Sequence, residues 1–174
     1  MGGGYPNGVC GCTSPTSATT SGCTMRVAYV AAYSTSGGGG TTPPPTGSTG
    51  PITGYEGLCA DVRGANSANF TPVQVYTCNG TNAQQWTVVQ AGSTLQALGK
   101  CMDINGGGTA NGTTVDLYTC NNTAAQVFIP QSNGSLYNPQ SNKCLDDTGW
   151  STTPGTQLQI WDCADSSNQQ WHLP

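Results

Sequence analysis

Six cysteines divide most of the chain into three units of nearly equal length. They form three successive pairs whose members are 19 residues apart, and the pairs recur every 42 or 43 residues: Cys59 and Cys78, Cys101 and Cys120, Cys144 and Cys163. A fixed period of this size is typical of folds in which repeated units share one core. The spacing therefore predicts a single domain of three units over residues 51–174.

Each unit alternates short apolar stretches with turn residues. The segments VQVY, VDLY and LQIW, just before the second cysteine of each pair, have the two-residue period of a half-buried strand. No segment has a convincing helical period, and short, evenly spaced strands favour an all-β closed barrel. The predicted core consists of Leu58, Val75, Trp86, Leu98, Leu117, Phe128, Leu145, Ile160 and Trp171.

The cysteines also bear on covalent structure and on compartment. Six cysteines allow about fifteen pairings, so sequence alone leaves the connectivity open. The recurring separation favours pairing within units, as Cys59–Cys78, Cys101–Cys120 and Cys144–Cys163, and each bridge would contribute about 3 kcal/mol. Nine cysteines favour an oxidising, extracellular compartment over a complete cytosolic protein with free thiols. The start, MGGGYPNG, does not resemble a signal peptide, so we expect a fragment of a longer secreted protein.

Two further segments precede the repeats. Residues 34–50, STSGGGGTTPPPTGSTG, have the composition of a flexible linker between modules. Residues 1–33 are too short for a core of their own, and their three cysteines, Cys10, Cys12 and Cys23, cannot all pair with each other. We expect this segment to be the tail of an upstream catalytic domain.

The charge of the chain excludes several classes of partner. Only 7% of residues are charged and the net charge is −4, with four cations in all. So few cations argue against binding to nucleic acid or to anionic membranes, and no apolar run is long enough to span a bilayer. A surface of Ser, Thr, Asn, Gln and Gly suits neutral, hydroxyl-rich partners.

Three short motifs recur in register with the cysteines. Each unit has a Cys-x-Asp, a strand that ends in aromatic-x-Cys, and a closing Gln-x-Trp that becomes Gln-x-Phe at 126–128. Together they resemble the ricin B-type lectins, also called carbohydrate-binding module family 13, over residues 51–174. The resemblance implies a monomeric β-trefoil in which each unit can hold one shallow sugar pocket, without metal or cofactor.

The resemblance also assigns roles within each pocket. The Asp of Cys-x-Asp accepts sugar hydroxyls, and the residue four before the second cysteine lines the pocket. The aromatic two before that cysteine supports the sugar ring, and an Asn before Gln-x-Trp is a second hydroxyl ligand. Carboxylates and amides offer the required acceptors and donors, and aromatic rings offer rigid contact area.

The three units differ in how completely they match, so we expect sugar affinity to fall from the third repeat to the first and then to the second. The third matches fully, with Asp146, Gln159, Trp161, Asn168 and Gln169. The first has Asp61, Gln74, Tyr76 and Gln84 but Ala83 in place of Asn. The second keeps Asp103 and Tyr118 but has Asp116, Ala125 and Phe128 at the other positions.

Some of these residues have a second interpretation. Each Cys-x-Asp aspartate could simply cap a turn, and Trp161 could belong to the core. Gln169 and Trp171 are interpreted as scaffold, as are their counterparts in the other repeats. Trp150 is either an extra wall of the third pocket or an ordinary exposed aromatic, and His172 is expected to be structural.

An enzymatic function is not expected of this chain. A glycosidase needs two carboxylates that flank the scissile bond, whereas the Cys-x-Asp aspartates belong to separate units and the single His has no nucleophile near it in sequence. The main hypothesis is non-catalytic binding of galactose- or xylose-type sugars that targets an attached hydrolase to polysaccharide. The alternatives are a fragment named for a hydrolase activity, a standalone secreted lectin, and a structural or protein-binding trefoil.

Overall fold

A computed structural model describes residues 47–89 and 93–174. The expected upstream tail, its three cysteines and most of the expected linker lie outside the described residues. The first strand begins at Thr49, two residues before the expected start of the domain, and Gly50 is buried. The folded unit therefore includes the last residues of the segment whose composition resembles a linker.

The described part of the chain is an all-β structure of eleven short strands. They are β1 (Thr49–Gly50), β2 (Cys59–Val62), β3 (Thr71–Tyr76), β4 (Trp86–Val89), β5 (Thr94–Ala97), β6 (Lys100–Ile104), β7 (Val115–Tyr118), β8 (Ile129–Pro130), β9 (Leu136–Asn138), β10 (Lys143–Asp146) and β11 (Gln159–Asp162). Single turns of 3₁₀ helix lie between strands at Tyr55–Gly57, Arg63–Ala65, Asn82–Gln84, Asn105–Gly107 and Ala124–Gln126, and another, Ser167–Gln169, follows β11.

The same antiparallel hairpin occurs once in every repeat, as β2–β3, β6–β7 and β10–β11. The Cys-x-Asp motif lies on the first strand of each hairpin, and the aromatic-x-Cys motif ends the second strand or directly follows it. The second strand of each hairpin is followed by a loop and a 3₁₀ turn, which carries the glutamine of Gln-x-Trp. The sequence motifs are thus equivalent positions of one structural unit.

Contacts between repeats close the three hairpins into a ring. Strand β3 pairs with β7, the backbone N–H of Val115 donates to Leu158 (2.9 Å), and that of Leu158 donates to Val73 (2.9 Å). Each hairpin is therefore hydrogen-bonded to both of the others. At the two ends of the domain, β1 pairs with β4, and Thr53 forms a bridge with His172, so the backbone of His172 has the structural role expected of it.

Alternate strand residues fill a core shared by all three units. Of the nine predicted core residues, seven are at most 4% exposed, and Leu58 and Leu98 are partly buried against the same cluster. The buried indoles of Trp86 and Trp171 donate to the carbonyl oxygens of Ala60 (2.9 Å) and Leu145 (3.0 Å). Each closing Trp therefore ties its turn to the Cys-x-Asp strand of the same repeat.

One core position differs in chemistry. The residue after each Cys-x-Asp motif is fully buried, as Val62 in the first repeat and Ile104 in the second, but the third repeat has Asp147 there. Neither carboxylate oxygen of Asp147 has a hydrogen-bond partner in the described part of the chain. Burial, with the nearby charge of Asp146, raises its pKa to about 6, although the Ser151 backbone opposes the shift.

The three expected disulfides, Cys59–Cys78, Cys101–Cys120 and Cys144–Cys163, are confirmed. Each joins the Cys-x-Asp strand to the segment after the second strand of the same hairpin, so each repeat closes its own loop. No helix within residues 47–89 and 93–174 has the length and apolar character needed to cross a membrane.

Candidate carbohydrate-binding site

Each hairpin brings its predicted site residues to the outer face of the barrel. The Cys-x-Asp aspartate is directly opposite the residue four before the second cysteine: Asp61 faces Gln74, Asp103 faces Asp116, and Asp146 faces Gln159. Residues directly opposite in an antiparallel pair share a face, as do residues two apart on one strand. The aromatic two residues beyond therefore shares the face of the aspartate.

In the third repeat, three amides converge on one carboxylate. Asp146 is 4% exposed. Its Oδ1 accepts from Gln159 Nε2 (2.9 Å), and its Oδ2 accepts from Asn168 Nδ2 (2.9 Å) and Gln169 Nε2 (2.8 Å). A carboxylate can accept about four hydrogen bonds, so Asp146 is held rigidly and keeps one acceptor position for a ligand.

The two amides from the 3₁₀ turn are anchored at their other ends. Gln169 Nε2 also donates to the Asp162 carbonyl (3.0 Å), and its Oε1 accepts from the Ala164 N–H (2.9 Å). Asn168 Oδ1 accepts from the Ser166 hydroxyl (2.7 Å), and both amide side chains belong to buried residues. In this arrangement, Asn168 and Gln169 position Asp146 and offer little of their own surface to a ligand.

The accessible part of the third site consists of Gln159 and Trp161. Gln159 is partly exposed, its Oε1 has no donor among the described residues, and Trp161 is 44% exposed. Gly112, from the preceding repeat, lies against both: a Cβ there would be 3.7 Å from the Trp161 ring and 3.9 Å from Gln159 Oε1. The third site therefore has a free acceptor beside an open aromatic face, and a residue from another repeat forms part of its border.

The first repeat holds its aspartate with one amide fewer. Asp61 accepts from Gln74 Nε2 at Oδ1 (2.9 Å) and from Gln84 Nε2 at Oδ2 (3.1 Å). Ala83 stands where the third repeat has Asn168, and its side chain can make no hydrogen bond. The carboxylate of the first site is thus less firmly fixed.

An arginine also occupies the first site. Arg63 Nε donates to Gln74 Oε1 (2.7 Å), and its Nη2 donates to the carbonyl of Gly155 in the third repeat (3.0 Å). The amide oxygen that is free in the third site is therefore engaged in the first. Tyr76, the aromatic of this site, is 40% exposed.

The second repeat replaces the amide opposite its aspartate with a second acid. Asp116 Oδ2 accepts from Asn105 Nδ2 (2.8 Å), whereas its buried Oδ1 has no partner in the part of the chain that the structure describes. Burial and the charge of Asp103 raise the pKa of Asp116 to about 6, against the effect of the Asn105 amide. Burial also raises the pKa of Asp103, while Gln126 acts in the opposite direction.

A cleft of about 450 Å³ opens at the second repeat. Asp103, Tyr118, Asn121 and Thr123 line it together with Phe70, a residue of the first repeat. The rings of Phe70 and Tyr118 are 5.0 Å apart and meet edge to face at 63°. The repeat with the least complete motif therefore has a two-ringed aromatic wall.

All eleven predicted site residues lie in the hairpins and 3₁₀ turns of their own repeats. Gln84 and Gln169 are 1% exposed, in keeping with the scaffold interpretation. Trp150 is 48% exposed, and its ring packs edge-on against Tyr55 at 5.4 Å. Tyr55 is not one of the predicted site residues, so this contact gives no support to the interpretation of Trp150 as an extra wall of the third pocket.

Sequence reasoning missed three residues that border the sites: Arg63, Phe70 and Gly112. The sequence contains a signal for Phe70 and Gly112. These two residues and Gly155 each stand four residues before the pocket-lining position of their repeat. Their backbone N–H groups donate to Leu117, Ile160 and Val75, respectively, one to each of the other hairpins. Only an alignment of the three repeats would have drawn attention to that position.

The family comparison agrees with this geometry. The sequence model of the ricin-type β-trefoil lectin domain matches residues 48–171. Among curated proteins, the ribosome-inactivating protein PMRIPt of Polygonatum multiflorum is 41% identical over 49 residues. These are 28% of this chain but only 8% of that protein, so the match spans a small part of the relative's length.

Solved structures are similar over most of the described domain. The designed threefold symmetric protein ThreeFoil has a TM-score of 0.66 at 26% identity, over 71% of this chain and 95% of that one. A non-toxic homologue of type II ribosome-inactivating proteins from Momordica charantia, in complex with α-methyl-D-galactoside, has a TM-score of 0.67 at 29% identity, over 74% and 48%. The exo-β-1,3-galactanase of Clostridium thermocellum has a TM-score of 0.66 at 25% identity, over 74% and 30%.

The expected β-trefoil is confirmed by the eleven strands, the three repeats closed into a ring and the likeness to a threefold symmetric protein. The family match covers well over half of the chain. The chain belongs to the ricin-type β-trefoil lectin domains, which bind carbohydrate and are not catalytic.

Proposed function

We propose that the third repeat binds one sugar ring of the galactose or xylose type at the outer end of a polysaccharide chain or branch. One observation carries the proposal: a carboxylate fixed by three amides, Asp146, lies on the same strand face as the free Gln159 Oε1 and the exposed Trp161. Neighbouring hydroxyls of a sugar can donate to the two acceptors while the C–H face of the ring rests on the indole.

Two structural neighbours support this choice of sugar. The Momordica charantia protein is in complex with α-methyl-D-galactoside, and the Clostridium thermocellum protein is an exo-β-1,3-galactanase. Both are similar to this chain at 25% identity or more. We therefore infer that galactose-containing polymers are the first ligands to test.

The differences between repeats support an unequal use of the sites. Asp61 has one amide fewer than Asp146, and Arg63 engages the amide oxygen of the first site. The second site presents two acids to a neutral sugar. We propose that neutral sugars bind most tightly at the third repeat, less tightly at the first, and most weakly at the second. Weak sites on one polymer would add avidity.

The wider role proposed is to hold a secreted polysaccharide hydrolase near its substrate. Three disulfides favour an oxidising compartment, and the Gly, Pro, Thr and Ser composition of residues 34–50 suits a tether. The genomic DNA upstream of Met1 tests this role. An open frame that encodes a signal peptide and a catalytic domain is expected, whereas an intergenic region would favour a standalone lectin.

The sugar site is tested by affinity electrophoresis through galactan and xylan. We expect Asp146→Ala to remove most of the retardation, because the substitution deletes the acceptor on which the site is built. Asp61→Ala should remove less, and Glu56→Gln, which neutralises an exposed carboxylate elsewhere, should have no effect. Near-UV circular dichroism verifies that each variant is folded. Undiminished retardation of a folded Asp146→Ala protein would refute the assignment of the site, and no binding to a broad glycan array would favour a structural role.

A further inference from the structure

The second-repeat cleft contains a backbone strain that its counterparts avoid. Phe70 has φ +66°, in the left-handed region, and the equivalent positions of the other repeats are Gly112 and Gly155, which also have positive φ. A non-glycine residue in this conformation costs on the order of 1–2 kcal/mol. Burial of the Phe70 ring offsets little of this free-energy cost, because Phe70 is 60% exposed. Strain of this kind is found most often at functional sites.

Asp103, which lines the cleft, and its buried neighbour Asp116 lack the neutralisation that the other repeats provide. Asp103 and Asp116 are directly opposite each other on β6 and β7, where like charges are destabilising. The only salt bridge among the described residues is Lys143–Asp162, in the third repeat. Lys100 Nζ donates to Asn69 and Thr119 and makes no ion pair in this part of the chain. At neutral pH, a positively charged ligand would therefore reduce the electrostatic repulsion between the two carboxylates.

The walls of the cleft narrow the choice of cation. A calcium ion requires six to eight oxygen ligands, and no group of three or more metal-ligating side chains occurs among the described residues. The aromatic wall instead suits an apolar face that carries a positive charge, and about 450 Å³ is enough for one sugar ring. Asp103 lines the cleft, whereas Asp116, directly opposite it on β7, is buried beside it. An ammonium group in the cleft can therefore donate to Asp103, while the unpartnered Oδ1 of Asp116 adds negative charge close by.

We propose that the second-repeat cleft binds a protonated amino sugar, a 2-amino-2-deoxyhexose with a free amine, between Asp103 and the Phe70–Tyr118 rings. The ammonium group donates to the Asp103 carboxylate, the buried charge of Asp116 next to it strengthens the attraction, and the C–H face of the ring lies against Tyr118. The inference shares with the proposed function only the assumption that the ligand is a sugar. It makes the domain a lectin with two specificities, one for a neutral ring and one for a cationic ring.

The test uses a matched pair of ligands, methyl 2-amino-2-deoxyglucoside and its N-acetyl derivative, in isothermal titration calorimetry at pH 7. Acetylation replaces the ammonium group with a larger neutral amide, so we expect at least about tenfold weaker binding of the acetylated sugar, in line with the strength of charge-assisted hydrogen bonds. Equal affinity for the two sugars would overturn the proposal, as would competition showing that calcium chloride alone occupies the acids.

Two variants locate the site. Asp116→Gln restores the amide found in the other repeats, and Phe70→Gly restores the glycine, so both should fold. Each should weaken binding of the amino sugar about tenfold and should not reduce galactan retardation, to which the third repeat contributes most. Asp146→Ala should do the reverse. Galactan binding that survives Asp146→Ala would therefore count against the proposed function, and a preference for the free amine that survives Asp116→Gln and Phe70→Gly would count against this inference.

Discussion

The second and third repeats share a hairpin, a disulfide and a Cys-x-Asp motif, yet their sites are in opposite electrostatic states. In the third, three amides surround one carboxylate. In the second, a carboxylate faces a carboxylate, and one oxygen is left without a partner. Two exchanges account for this difference: the second repeat has Asp116 where the third has Gln159, and Ala125 where the third has Asn168. The scaffold is thus independent of the charge of the pocket.

The largest effect that separates the two repeats is expected from the scaffold glutamine. Gln169→Ala removes two main-chain hydrogen bonds and one to the Asp146 carboxylate, and should lower the free energy of unfolding by about 3 kcal/mol. Gln126→Ala removes two main-chain bonds and a weaker interaction with the Asp103 carboxyl, and should cost about 1–2 kcal/mol. Urea denaturation of both proteins measures the difference, and equal losses would mean that the bond to Asp146 contributes no more than the interaction of Gln126 with Asp103.

The third repeat also contains a defect that the second lacks, and Asp147→Val should relieve it. Because the folded protein holds the pKa of Asp147 near 6, above its ordinary value of 3.8, the folded state binds more protons than the unfolded state between these values. Stability therefore falls as pH rises from about 4 to about 6. The substitution places an apolar residue where Val62 and Ile104 are buried, and should add about 2–3 kcal/mol at pH 8.

Thermal unfolding of the Asp147→Val protein at pH 4 and pH 8 measures this effect. The gain should be larger at pH 8, because the wild-type carboxyl is protonated at pH 4. Asp165→Asn, at an exposed aspartate whose left-handed backbone conformation Asn tolerates, is the control for the loss of a carboxylate and should not give the gain expected of Asp147→Val. A gain that is the same at both pH values would contradict the role assigned to the buried charge.

Removal of one acid from the second-repeat pair should also increase the free energy of unfolding at high pH, but by a smaller amount. Asp116→Gln removes a carboxyl whose pKa is raised to about 6, and Asn105 can donate to the new amide as Arg63 does to Gln74. We expect a gain of about 1–2 kcal/mol at pH 8, which disappears near pH 4. Destabilisation at pH 8 would mean that the pair is already neutralised in the free protein.

The smallest effect is expected in the first repeat, whose site lies between the other two in character. Arg63→Ala frees Gln74 Oε1, the atom that is free at the equivalent place in the third site. Affinity of the first site for galactan should rise about twofold to threefold, as measured by affinity electrophoresis in an Asp146→Ala background. Arg63→Lys, which keeps the charge but not the planar donor geometry, shows whether the hydrogen bond or the charge matters.

The sequence predicted the features that recur within a repeat. The strands, the three disulfides and most of the core follow from motifs that stand in register three times, so each copy supports the interpretation of the others. The network around Asp146 was predicted only as a set of residues. Asn168 and Gln169 donate to this carboxylate only because the 3₁₀ turn packs against β10.

The features that sequence reasoning missed arise between repeats. Phe70 reaches Leu117, and Arg63 reaches Gly155, across 47 and 92 positions of the chain. No local pattern marks such contacts, because they depend on how the ring of hairpins closes. Asp147 was missed for a different reason: an acid is rarely buried without a partner, so its position in the core is against expectation.

The crossing of each loop onto the next hairpin separates the unit of duplication from the unit of binding. Phe70 of the first repeat borders the second site, Gly112 of the second borders the third, and Gly155 of the third meets the first. A duplicated segment of 42 residues carries a hairpin and its disulfide, but only part of the border of any pocket. Transplanting one repeat into another trefoil would therefore exchange the floor of one site and a wall of its neighbour. The ligand specificity of each site in such a ring is therefore determined by two adjacent repeats together.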